Sequence, residues 1–185
     1  MTRIAADIYN TPPKLAATLV SLLPIERGQV TLEPSCGSGS FVRPLLKKTE
    51  HVWALDTDPG AAGLKLVKAS RNADFLRASF PDAHRPHWIV GNPPYTDVQD
   101  HIQHALDIAT VGVAYLLRIN LLAARKRVDF WNENNPHTIY IVTPRPSFTH
   151  GGNDMTEYGF YVWRRDLPPP PGTKLIWITG PRAWK

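Results

Sequence analysis

Leu32-Glu33-Pro34-Ser35-Cys36-Gly37-Ser38-Gly39-Ser40-Phe41 joins a run that alternates as a strand, Gln29–Glu33, to one that reads as a helix, Phe41–Lys48. Strand, small-residue loop and helix open an α/β unit, and such folds hold ligands beyond the carboxyl ends of their strands. Glycine at 37 and 39 lets the backbone turn tightly and lets a ligand approach where no Cβ intervenes. Read alone, the segment fits a structural turn equally well. Its dinucleotide fingerprint is incomplete, because position 42 is Val, and no Gly-Lys-Ser/Thr follows, which excludes a P-loop. Glu33 would repel a pyrophosphate; it suits a ligand carrying an amino group or a sulfonium. Asp56 lies 17 residues beyond Gly39 at the end of the next apolar run, where an acid can accept hydrogen bonds from ribose hydroxyls.

Outward from the loop, strand and helix signals alternate. Pro12-Pro13 precede a helical pattern over Lys14–Leu23, a place where proline's missing N–H costs nothing. Strands are predicted at His51–Asp56, Ala73–Leu76, His87–Gly91 and Val111–Leu117. Helices are predicted at Pro59–Ala69, Asp97–Ala109 and Leu121–Trp131, the second with Val98, Ile102, Ala105, Leu106 and Ala109 on one face. Thr138–Val142, Tyr158–Trp163 and Leu175–Ile178 then follow with no helix between them, the last two joined by a stiff proline run, Leu167–Gly172. The pattern predicts an α/β fold whose sheet is mostly parallel, with an antiparallel C-terminal end and helices on both faces.

The 185 residues fit one domain spanning 1–185, and 43% hydrophobic with 20% charged residues gives material for a real core. No apolar run approaches the roughly 18–20 residues of a membrane span, and no apolar segment follows Met1–Asp7 as a secretory signal would. The lone Cys36 cannot form an internal disulfide or a multi-thiolate zinc site, which points to a reducing, cytoplasmic setting. Residues 101–185 hold 10 Lys/Arg against 6 Asp/Glu, whereas residues 1–100 hold 11 against 10. The basic excess therefore gathers in the second half, compatible with a polyanionic partner or with ordinary solvated charge.

Directly after Trp88-Ile89-Val90 stands Gly91-Asn92-Pro93-Pro94-Tyr95. Two prolines remove two N–H donors and hold the chain extended, leaving their carbonyls as acceptors. Asn92 adds a side-chain acceptor and Tyr95 a flat aromatic face. Together they suit a planar group with an exocyclic NH2, gripped at the amine and stacked on the tyrosine. The plain alternative is a proline-rich turn, but its position at the end of a central strand is where α/β active sites sit.

In this order the motifs resemble class I S-adenosylmethionine (SAM)-dependent amino-methyltransferases, closest to N6-adenine DNA methyltransferases. The resemblance implies a Rossmann-like fold and SAM as cofactor. Tyr9-Asn10-Thr11-Pro12-Pro13 resembles the family's N-terminal cofactor motif, and Glu33, Pro34, Cys36, Gly37 and Gly39 its cofactor loop. Asp56 resembles the ribose-binding acid, and Asp74-Phe75 the pair contacting the cofactor adenine. Asn92-Pro93-Pro94-Tyr95 matches the catalytic motif, with Asn92 also beside the cofactor. Cofactor segments precede the catalytic one, as in the gamma arrangement. The resemblance covers roughly residues 9–165 and implies methylation of a planar amino nitrogen: adenine in DNA, adenine in RNA, or a protein glutamine. A non-catalytic SAM-binding subunit is the alternative of another class.

The chain departs from sequence-specific DNA enzymes in leaving no room for a separate target-recognition domain. Thr143-Pro144-Arg145-Pro146-Ser147-Phe148, with Tyr158–Trp163, resembles compact phage and prophage enzymes. That analogy places Phe148 against a flipped base; Arg145, between two prolines beside the proposed base pocket, is a candidate for contacting phosphate. The leading expectation is therefore N6-adenine methylation of DNA, with low or short sequence specificity and easier access to single strands. His84/His87 and His101/His104 lack a metal-site pattern and read as surface histidines, and Trp163, Trp177 and Trp184 read as sheet packing. Arg125-Lys126-Arg127 fits either a phosphate contact or a solvated helix face.

Overall fold

A computed structural model describes residues 10–146, 148, 156–180 and 184. Tyr9 and Ser147, both within the quoted motifs, lie outside them. The strands are β1 (Thr31–Glu33), β2 (Val52–Asp56), β3 (Ala69–Asn72), β4 (Trp88–Gly91), β5 (Gly112–Arg118), β6 (Thr138–Thr143), β7 (Tyr158–Arg164) and β8 (Lys174–Thr179). They form one sheet in the order β3-β2-β1-β4-β5-β7-β6-β8. β1 through β5 run parallel. The reversed element is β7, antiparallel to both β5 and β6, while β8 returns parallel to β6. β1 lies between β2 and β4, so the winding reverses there and a crevice opens beyond the carboxyl ends of β1 and β4.

Alternation along β5 divides the core into two layers. Ala114 and Leu116 face Leu15 and Leu19 of α1 (Pro13–Ser21) and Leu45 of α2 (Val42–Leu45). Val113, Tyr115 and Leu117 face Val98, Ile102 and Leu106 of α3 (Val98–Ile108) and Phe130 of α4 (Val128–Glu133). β5 is buried on both faces up to Arg118, which explains its unbroken apolar run. Burying each of these leucines or valines contributes about 1.5–3 kcal/mol.

Three predicted elements differ. The helix expected over Pro59–Ala69 is a single 3-10 turn at Ala62–Leu66. Gly63 explains it: its N–H donates to the Gly37 carbonyl (2.8 Å), and a Cβ there would stand 2.7–2.8 Å from Cys36. The segment is held as a lid on the glycine loop, too close for a helix with ordinary side chains. The third strand falls at Ala69–Asn72, not Ala73–Leu76, and all four residues are exposed. A polar edge strand has no apolar alternation to reveal it; its ladder to β2 holds it in place. Over Leu121–Trp131 two 3-10 turns, Ile119–Ala123 and Arg125–Arg127, precede the short α4. His101 is buried at 5% exposure against Phe75, so it is a core histidine, and Trp177 is 64% exposed, so it is not a packing residue. Among the described residues no helix is long and apolar enough to cross a membrane.

Candidate active site

The carboxyl end of β1 delivers a buried carboxylate, Glu33, whose Oε1 accepts from the Ser35 N–H at 3.1 Å. A Cβ on Gly91 would collide with that carboxylate, so glycine at the end of β4 lets Glu33 lie against the neighbouring strand. The loop then turns through two left-handed glycines, Gly37 (φ +43°) and Gly39 (φ +82°). Backbone bonds close it: Cys36 N–H to Leu55 O (2.9 Å) and Gly39 N–H to Cys36 O (2.7 Å). Cys36 is buried with Phe41 and Leu15 in the core. Pro34 is buried at the turn.

Asp56, 1% exposed, ends β2 and braces this loop. Its Oδ2 accepts from the Gly37 N–H (2.7 Å) and its Oδ1 from the Asp58 N–H (2.9 Å). The buried acid thus anchors the loop's backbone. Asp74 caps a 3-10 turn by accepting from the Leu76 N–H (3.0 Å). Phe75 is in the core, its ring 5.3 Å from His101 and 4.7 Å from His104. Asp56, Asp74 and Phe75 are not among the residues lining the polar cleft beside the loop.

That cleft is lined by Thr11, Glu33, Ser35, Gly37, Ser40 and Asn92, among others. Among the described residues no lysine or arginine lines it and Glu33 makes that lining negative, which suits a cationic sulfonium and amino group and disfavours phosphate. Thr11 and Asn92 bring the N-terminal motif and the β4 motif onto one wall: Asn92 Nδ2 donates to Thr11 Oγ1 at 3.3 Å. A larger cavity of about 320 Å³ opens under β1–β3 beside Trp53 and Phe80, but it holds none of the predicted site residues.

Beyond Asn92 the wall becomes aromatic. The Tyr95 hydroxyl donates to Asn92 Oδ1 at 3.1 Å. Tyr158 stands 6.3 Å from Tyr95 and 4.6 Å from Phe148, ring centre to ring centre. The Arg118 guanidinium carbon lies 4.4 Å from the Tyr95 ring centroid. Burial pushes the Tyr95 hydroxyl well above its ordinary pKa, with nearby Tyr158 adding to the rise; Arg118 and the Asn92 bond oppose it only in part. Tyr95 therefore stays a neutral donor. Arg145 forms an ion pair with Glu157 (2.5 Å), both about half exposed.

The structure thus brings Thr11, Glu33, Gly37 and Asn92 to one cleft, and Tyr95 and Phe148 to one aromatic cluster. Sequence reasoning missed Tyr158 and Arg118 as site residues. Arg118 had one signal: it is the charge that ends the apolar run of β5.

No family model matches the chain. Its architecture is that of the class I methyltransferases, as solved structures show at low sequence identity. A putative class I SAM-dependent methyltransferase from Listeria monocytogenes superposes with a TM-score of 0.74 at 14% identity, over 96% of this chain and 68% of that one. A modification subunit of a putative type I restriction enzyme from Vibrio vulnificus gives 0.72 at 16%, over 96% and 48%. A putative RNA methyltransferase from Pyrococcus horikoshii gives 0.66 at 17%, over 88% and 90%. The chain spans about half the length of the type I modification subunits it matches.

Proposed function

We propose that the chain is a SAM-dependent methyltransferase that methylates the exocyclic N6 of adenine in DNA, with low or short sequence specificity. One observation carries the reading: Asn92, at the carboxyl end of β4, is bonded to Thr11 on the cleft side and to Tyr95 on the aromatic side. A residue in that position joins a cationic-ligand cleft to a stacking surface. SAM, when bound, supplies an electrophilic methyl group on its sulfonium. Glu33 and the glycine loop are the groups that would hold it.

The chain's own residues handle the amine. Asn92 Oδ1, an sp² amide oxygen that accepts from the Tyr95 hydroxyl, is the acceptor proposed for one amine hydrogen. The Pro93 carbonyl accepts the other. Drawing both hydrogens toward these oxygens makes the nitrogen more pyramidal and turns its lone pair outward. Asn92 Nδ2, held by Thr11, fixes which way the carboxamide faces. Tyr95, partly exposed, supplies a ring face for a base outside its stack, worth about 1–3 kcal/mol per base, and the buried Tyr158 and Phe148 pack behind it. The likeness to type I modification subunits supports a DNA substrate.

Methyl transfer from labelled SAM to single-stranded DNA, duplex DNA and RNA, read by nucleoside mass spectrometry, tests the reading. N6-methyladenine in DNA is expected, more in single strands than in duplex. Label confined to RNA would move the substrate to RNA adenine. No methylated nucleoside, with SAM bound, would point to a protein amide or to a non-catalytic SAM-binding subunit.

A further inference from the structure

Arg118 ends β5, and β5 is the neighbour of β4, which carries Asn92 and Tyr95 at its end. Its backbone pairs with Tyr158 across the sheet, and its guanidinium lies over the Tyr95 ring. Among the described residues, its guanidinium is the one that lies over a ring of the aromatic cluster. From here the chain runs through Ile119–Arg127, adding Arg125, Lys126 and Arg127 without a single carboxylate. Arg125 and Lys126 are exposed. Four cations in ten residues thus leave the pocket along one segment, beginning at its aromatic rim.

Resting on the nucleic-acid reading above, we infer that the segment Arg118–Arg127 guides the substrate strand and that Arg118 binds a phosphate flanking the target base. A guanidinium keeps its N–H donors in one plane, in a fork that matches phosphate oxygens. Placed over Tyr95, it holds the backbone beside the ring on which the base stacks. This separates a nucleotide from a glutamine side chain, which carries the same amide-type nitrogen but no phosphate.

The test is binding of a fluorescein-labelled single-stranded oligodeoxynucleotide, followed by anisotropy from 50 to 200 mM salt. Each phosphate contact to a single strand contributes about −0.7 to the slope of log K against log salt. Arg118→Ala is expected to make the slope shallower by about 0.7 and weaken binding at the low-salt end; Arg118→Lys is expected to restore the slope. A folded Arg118→Ala protein with the parent's slope overturns the inference. Should that variant not fold, Arg125→Ala/Lys126→Ala alters only exposed side chains. It is expected to make the slope shallower by about 1.4, and an unchanged slope again overturns the inference. Binding is read without turnover, so the two readings fail separately. Absence of methyl transfer together with the expected shallower slopes refutes the chemistry alone, and transfer with unchanged slopes refutes the strand path alone.

Discussion

The two walls of the site are built from different materials. The wall proposed to face the cofactor is held through its backbone: Gly37 N–H on the Asp56 carboxylate, Gly63 N–H on Gly37, Cys36 N–H on Leu55, with glycines where a Cβ would collide. The wall proposed to face the target is side chain: Tyr95, Tyr158, Phe148 and Arg118, meeting by rings and one guanidinium. A backbone wall is set by the fold and fails with it. A side-chain wall can change one group at a time while the sheet stands.

Breaking the backbone wall should therefore cost stability and cofactor binding together. The largest effect is expected from Asp56→Ala, which strands two N–H donors at roughly 1–3 kcal/mol each. A fall in Tm of several degrees with at least tenfold weaker SAM binding, by calorimetry, is expected; weaker binding at unchanged Tm would break the comparison. Gly63→Ala comes next, because its new Cβ meets the Cys36 carbonyl, which cannot yield. Overpacking of this kind costs about 1–3 kcal/mol, again read as Tm and SAM affinity moving together.

The side-chain wall should separate those readouts. Tyr95→Phe keeps the ring and removes one hydrogen bond to Asn92, about 1 kcal/mol, so turnover should fall roughly five- to tenfold with Tm and SAM affinity nearly unchanged. Because burial raises the Tyr95 pKa, its hydroxyl stays protonated through pH 10. The pH–rate profile should then show no alkaline limb between pH 8 and 10 that Tyr95→Phe abolishes. The smallest effect belongs to Arg145→Ala. An exposed ion pair contributes about 0–1 kcal/mol, so oligonucleotide affinity should change by less than about fivefold.

Legibility in the sequence follows the same division. The glycine loop was readable because left-handed backbone demands glycine at 37 and 39. Asn92 and Tyr95 were readable because prolines and a central strand fix where they stand. β3 was not, since Ala69-Ser70-Arg71-Asn72 has no apolar face and is held by its partner's ladder. The segment Pro59–Ala69 carries helical composition, and the close approach of Gly63 to Cys36 explains its short turn. Phe75 matched a motif by position, yet its side chain packs under α3, a direction that no one-dimensional pattern encodes. Tyr158 looked like any aromatic strand residue; β7 had to be placed beside β5 before it met Tyr95.

The central claim is that Asn92 joins two walls but belongs to the chemistry of one. Asn92→Ala, compared with the parent for SAM binding by calorimetry and for N6-methyladenine by mass spectrometry on single-stranded DNA, tests it most directly. Loss of transfer by roughly 10²–10³-fold or more, with SAM affinity within about threefold of the parent, is the expected result. Equal turnover by the variant would contradict the account.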